Sequence, residues 1–293
     1  MRARAPGKVV LSGAYAVLHG APAIVSAVSR YAEADSERPA SVVTPEVKAA
    51  LGDRAAPWFD ASALRDARGK LGLGSSAAIL VASLAALELK ESGALDDATL
   101  ADRVLPLALA AHHRAQGGGS GIDVAASARG GTLVAQRGDR LSCEAAELPS
   151  GLVIEVWASG LPAVTAELIA RVQALPERER ALAPQLEASH AAVAALRAAD
   201  AAAFIHALDA QHAALQALGD AAGVPIVTPQ VAKLARLARR RGGTVLPSGA
   251  GGGDVALYVA REAPSAELRQ ECAALDHLAL DLALHARGVH ALE

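Results

Sequence analysis

Aromatic residues are almost missing from this chain: two Phe, two Trp and three Tyr in 293 residues. Stacking platforms for bases are therefore scarce. The formal net charge of -3 supplies no global positive field either, so nucleic acid is not an expected partner. Cysteine is nearly as rare. Cys143 and Cys272 stand far apart and neither belongs to a CxxC pair, which excludes a zinc site or a disulfide framework and suits a reducing cytoplasm. Runs of about 18 uninterrupted apolar residues, the length a spanning helix needs, do not occur, so no membrane partner is expected. The opening MRARAPGKVVLSG lacks the apolar core of a secretion signal. What the chain does have is 52% hydrophobic residues and 26 glycines. With so few aromatics, its core must be built from Ala, Leu and Val.

Residues 8–12 and 22–34 carry the β-branched enrichment of strands, whereas 35–70, with Pro39, Pro45 and Pro57, reads as irregular. A helix is expected from the glycine turn onward, with Ser75 and Ser76 at its N-cap, and a second over 96–115. Strands are expected at 131–136 and 152–158. An Ala/Leu-rich amphipathic helical layer then fills about 163–221. TVLPS at 244–248 and VALYVA at 255–260 read as strands around a glycine loop, followed by a terminal helix. Strands and helices are mixed without regular alternation, which fits α+β better than a doubly wound sheet.

Three stretches are rich in glycine. In GKLGLGSSAA (69–78) a glycine turn runs straight into a helix, where unpaired N–H groups and the positive dipole end suit a phosphate chain. No Lys-Ser/Thr pair follows the last glycine, so this is not a Walker A loop. AQGGGSGIDVAAS (115–127) places Asp123 after a Gly/Ser turn, where a lone Asp is ordinarily a helix cap. PSGAGGGDVALYV (247–259) is a glycine run whose backbone must approach either a ligand or another segment closely. At the start, APGKVVLSGAYAVLHG puts Lys8 on a strand beside a turn; alone, such a lysine is an ordinary solvated charge.

Together, the order and spelling of these four motifs resemble the GHMP kinase superfamily, named for galactokinase, homoserine kinase, mevalonate kinase and phosphomevalonate kinase. Lys70 before LGLGSS, the run HRAQGGGSGIDVAAS, and SGAGGGD with Asp254 lean toward the phosphomevalonate kinases. The resemblance implies an α+β, two-domain GHMP kinase fold. Its N-terminal domain (1–150) would bind ATP and be like domain 2 of ribosomal protein S5, and its C-terminal domain (151–293) would be ferredoxin-like. It implies ATP and Mg²⁺ as cofactors and a small anionic acceptor, phosphomevalonate or mevalonate. Lys8 and Asp123 match the family's catalytic pair. Gly72, Leu73, Gly74, Ser75, Ser76 and Ala77 match its phosphate loop, with Ser76 the metal-touching serine. Tyr15, Lys70, Arg114, Ser120, Gly121 and the loop Ser248, Gly249, Ala250, Gly251 and Gly252 would face the acceptor, with Lys70 and Arg114 on its phosphate. Two positions depart from the family pattern. Ala14 stands where a Glu is usual, and His112 stands where mevalonate kinases carry a Mg²⁺-binding Glu. The rival readings are a mevalonate kinase or other GHMP small-molecule kinase, and a non-catalytic nucleotide- or anion-binding regulator of the same fold.

Overall fold

In a computed structural model, which describes residues 1–67, 69–161 and 165–292, the chain folds as two large antiparallel sheets sharing an apolar interior, with a separate two-stranded pair of Arg65–Asp66 and Gly69–Lys70. The elements in chain order begin with β1 (Arg2–Ser12), the 3-10 turn Ala16–His19, and β2 (Pro22–Pro39). Next come α1 (Pro45–Leu51), β3 (Pro57–Asp60), β4 (Arg65–Asp66) and β5 (Gly69–Lys70). Three helices follow: α2 (Ser75–Ser92), α3 (Asp97–Gln116) and α4 (Ile122–Arg129). The strands β6 (Thr132–Arg137), β7 (Leu141–Ala146) and β8 (Val153–Ser159) lead into a helical layer of α5 (Thr165–Gln173), α6 (Arg178–Arg197), α7 (Ala201–Ala222) and α8 (Pro229–Arg239). The chain closes with β9 (Thr244–Pro247), β10 (Val255–Ala260), α9 (Ala266–Ala274), β11 (His277–Ala279) and β12 (His290–Leu292).

The first sheet has the order β12-β1-β2-β6-β7, with β3 paired to β2, and the second runs β11-β8-β10-β9. Mixed helix and antiparallel sheet is the α+β arrangement expected. Alanine sets the packing. Buried Ala77, Ala78, Ala82 and Ala85 let α2 lie close on β1 and β2, and the same cluster continues to Phe204 and Leu208 of α7 and Leu257 of β10. On the opposite face of the second sheet Trp157 stacks on Tyr258 with centroids 5.4 Å apart.

Four expectations need correction. The stretch 35–70 is not irregular: β2 runs on to Pro39, Thr44 caps α1 by accepting from the Val47 N–H, and β3 pairs with β2. The N-cap of α2 is Gly74, in the left-handed region at φ 77°, so Ser75 and Ser76 are its first two helical residues and not its caps. Asp123 does not close a turn but lies in α4, a helix too short for its period to show in sequence. After α9 the chain runs as short strands, and β12 pairs back onto β1, Arg4 opposite His290. The first residues of the helical layer expected from 163 lie outside the described residues, and α5 starts at Thr165.

Candidate active site

Lys8 enters the site from β1. Its backbone N–H donates to the Leu73 carbonyl at 2.8 Å, which stitches the glycine loop across the strand. Gly74 sits directly on the lysine stem: a Cβ there would lie 3.1 Å from both Cγ and Cε of Lys8. A side chain at 74 would therefore collide with the stem as well as strain a positive φ. The Lys8 ammonium reaches the Gly72 carbonyl only at 3.4 Å. Burial lowers its pKa, while the charges of Asp123 and Asp254 push the other way. Beside it, α2 starts with Ser75 and Ser76, whose hydroxyls make no hydrogen bond among the described residues. Free N–H groups and two free hydroxyls at a helix start form an anion-binding surface.

Asp123 is the second residue of α4, and its Oδ1 accepts from the Val124 N–H at 3.0 Å. His112, near the end of α3 and buried, brings Nε2 to 3.4 Å from Oδ2 of Asp123, an ion-pair distance outside good hydrogen-bond geometry. Burial alone would lower the His112 pKa, but Asp123 outweighs it and holds the imidazole above its ordinary value. Burial likewise works to raise Asp123, yet His112 and then Lys8 hold it below the usual carboxylate range. The sign for His112 follows from linkage. A folded pKa raised above about 6.5 adds stability that is whole below that value and is lost as pH rises through the folded pKa. His112→Gln should therefore melt below wild type by a margin that is widest in acid and closes in alkali. A melting-temperature gap independent of pH would show that the pair is not ionic.

The third glycine run is held by protein contacts. Ser248 Oγ accepts from the Val10 N–H at 2.8 Å, and the Tyr15 hydroxyl donates to the Ala250 carbonyl at 2.7 Å. Gly251, at φ 76°, abuts the Ile226 carbonyl with no room for a Cβ, so its backbone approaches this segment closely. Asp254, left-handed at φ 53°, places its side chain against Gly72. The missing Glu at Ala14 is covered from the helical layer. Gln211 of α7 accepts from the Gly13 N–H at 3.2 Å and donates to Ser12 Oγ, and Gln185 of α6 donates to the Ala14 carbonyl at 3.0 Å.

These parts enclose a cleft of about 860 Å³. Lys8, Asp123, Gly72, Gly74, Ser75, Ser76 and Ala77 line it, as do Tyr15, Lys70, Ser120, Ser248, Gly249, Ala250 and Gly251. Four expected residues do not. Leu73 is buried in the core at 1% exposure, Gly121 caps α4 behind the wall, and Gly252 packs on Leu168 of α5. Arg114 does not line the cleft, and its guanidinium donates to the Ala49 carbonyl of α1 at 2.9 Å. Sequence reading missed Asp254 as a wall residue, and also His19, Arg137 and Arg178, which stand alone in sequence.

A glycine loop opening a helix lies in one cleft with half-buried Lys8 and Asp123, and part of the chain is similar to the GHMP kinases. Residues 49–131 match the family described as GHMP kinases N terminal domain. A phosphomevalonate kinase of Streptomyces sp. (strain CL190) is 29% identical, over 85% of this chain and 87% of that protein. Among solved structures, the Lin0012 protein of Listeria innocua superimposes with a TM-score of 0.81 at 23% identity, over 99% of both chains. The Streptococcus pneumoniae phosphomevalonate kinase in complex with phosphomevalonate and AMPPNP gives 0.77 at 20% identity, over 97% of this chain and 99% of that one. At these identities the structural likenesses speak to the fold.

Proposed function

We propose that the chain is a phosphomevalonate kinase, moving the γ-phosphoryl group of ATP onto the phosphate of phosphomevalonate to give diphosphomevalonate and ADP. The observation that carries this reading is Asp123 lying 3.4 Å from His112 Nε2 in the same cleft as Lys8 and the glycine loop. A hydroxyl acceptor needs a base to take its proton. Asp123, held anionic by His112 and Lys8, is a poor one. A phosphate monoester, with a second pKa of about 6, is already a nucleophile at neutral pH, and needs only positioning and charge neutralisation.

In the reaction an acceptor phosphate oxygen bonds to the γ-phosphorus while the bond from that phosphorus to the β,γ-bridging oxygen breaks, and ADP leaves with the electron pair. The first turn of α2 and the Gly72 to Ala77 backbone hold the triphosphate. Lys8 stabilises charge on the moving group, and Asp123 fixes Lys8. Lys70, exposed at the rim with no side-chain hydrogen bond among the described residues, takes the acceptor phosphate. Tyr15 and Ser248 brace the third loop against β1. Ser76 would hold Mg²⁺ together with phosphate oxygens. A hydroxyl oxygen suits that ion, which takes hard oxygen donors and keeps few protein ligands, and Ser76 lines the cleft at the start of α2. When bound, Mg²⁺ supplies charge neutralisation across the β- and γ-phosphates.

The division at residue 150 is part of this proposal, with the nucleotide on 1–150. So is a cytoplasmic setting, which draws on two unpaired cysteines; among the described residues no helix is long and apolar enough to cross a membrane. The test is ADP release with Mg²⁺ and ATP across mevalonate, phosphomevalonate, homoserine and galactose. Phosphomevalonate should be turned over best. Folded protein that binds ATP but releases no ADP with any of the four would leave the non-catalytic regulator as the better reading.

A further inference from the structure

A carboxylate is buried behind the wall of the cleft, and the phosphotransfer chemistry makes no direct use of it. Glu46 is the second residue of α1 and is 5% exposed. In the first turn of a helix a glutamate is ordinarily a solvated charge that faces the positive end of the dipole. Glu46 does not cap α1, a task that falls to Thr44. Its Oε1 accepts from the Gln116 side-chain amide at 3.0 Å, and its Oε2 is buried with no hydrogen-bond partner among the described residues. A buried carboxylate with one hydrogen bond is costly unless a positive charge stands near it.

His112 is that charge. It lies one turn before Gln116 on α3, and residues four apart share a face of a helix, so the bond to Gln116 sets Glu46 on the His112 side. Two carboxylates from different elements therefore act on the buried ring: Asp123 of α4, at 3.4 Å from Nε2, and Glu46 of α1. Burial works to lower the His112 pKa, and Asp123 and then Glu46 push it up, so the ring ends above its ordinary value. Other titratable groups on the elements packed against α3 are engaged elsewhere. Lys48 of α1 pairs with Asp53, Glu88 and Lys90 of α2 with Arg103 and Glu37, and Arg129 of α4 with Asp102. Glu91 is exposed at the far end of α2, and His290 of β12 is held by Arg4.

We infer that Glu46 is a positioning residue for phosphoryl transfer: from behind the cleft it holds Gln116 by a hydrogen bond and His112 by charge, and through His112 it fixes the Asp123 carboxylate. The role rests on the phosphotransfer reading above. Gln116 itself lines the cleft at the end of α3, where the chain turns toward α4, so Glu46 also anchors the approach to Asp123. With Glu46 in place the imidazolium persists to higher pH, and Asp123 keeps its partner there. Without that charge His112 sheds its proton at lower pH. Asp123 then loses its counter-charge under conditions in which the acceptor phosphate is ready to react.

The test follows kcat/KM for phosphomevalonate across pH in wild type and Glu46→Gln, with the His112 ring titrated by NMR in both. Glutamine keeps the size and an acceptor for Gln116 and removes only the charge. In wild type the alkaline limb should coincide with the His112 titration, and the acid limb with the acceptor phosphate, whose second pKa is about 6. In Glu46→Gln the ring and the alkaline limb should move down together while the acid limb stays. The loss above the displaced limb should be about tenfold for each pH unit of that move. A scaffold role alone would lower kcat/KM equally at every pH or leave the limbs in place, and either result overturns the inference. So does a ring that titrates as in wild type. Should the variant not fold, wild type decides: coincidence of limb and ring supports the role, and an alkaline limb away from the ring titration overturns it. No ADP from any acceptor overturns the positioning role together with the phosphotransfer reading. A ring displaced in the variant then distinguishes that outcome from a missing Glu46–His112 interaction.

Discussion

Lys8→Met should reduce kcat by about a hundred- to a thousandfold, the range seen when one donor to a developing charge is removed, while ATP affinity holds. The split follows from how the residue is used. Gly74 packs on the methylene stem of Lys8, and methionine keeps that stem, so the glycine loop should stay in place. What disappears is the ammonium, whose one hydrogen bond among the described residues is a long 3.4 Å approach to the Gly72 carbonyl. A donor so weakly committed in the ground state is available to charge that develops later, and such interactions appear in kcat and not in binding. Steady-state kinetics paired with ATP calorimetry decide it. If kcat is unchanged, or if kcat and affinity fall together, Lys8 is not a transition-state group.

Asp123→Asn should cost both turnover and stability. The substitution leaves His112, which is 6% exposed, without its counter-charge and removes one of the two carboxylates that raise the pKa of Lys8. Breaking a buried pair costs about 3–5 kcal/mol. A quarter of the Asp123 side chain faces the cleft, so the lower end, about 3 kcal/mol, is the expected loss. The His112 pKa should fall, because burial then acts on the ring unopposed by its partner. Chemical denaturation and an NMR titration of the His112 ring read the two effects separately. A variant with wild-type stability and an unmoved histidine would make Asp123 a helix residue and nothing more.

What could be read from sequence was what local chemistry dictates. Glycines before an Ala/Leu run mark a loop opening a helix whatever lies around them, and Gly72, Gly74, Ser75, Ser76 and Ala77 were legible on that basis, whereas Lys8 and Asp123 were singled out only by the family resemblance. The cap assignment failed because a serine just inside a helix and a serine just before one look alike. Only the positive φ of Gly74 distinguishes them. Arg114 was chosen for its closeness in sequence to Asp123. Yet its guanidinium donates to the Ala49 carbonyl of α1, and it does not line the cleft. Arg137 and Arg178 belong to no motif, and both reach the cleft because β6 and α6 pack beside the Ala16–His19 turn. The closing strands have three residues each, too few for an alternating pattern to register.

The pairing of β12 with β1 also has a consequence in time. Arg4, four residues before the lysine, is held through its Nε by His290 at 2.7 Å, a partner 286 positions later. At synthesis rates of about 5–20 residues per second, β1 leaves the ribosome roughly 15–60 s before that partner exists. For that interval the strand carrying Lys8 has an open outer edge, the kind of surface on which foreign strands add. Arg2 and Arg4 are the residues that edge presents, and their charge discourages such pairing until the chain's own last strand arrives to close the sheet.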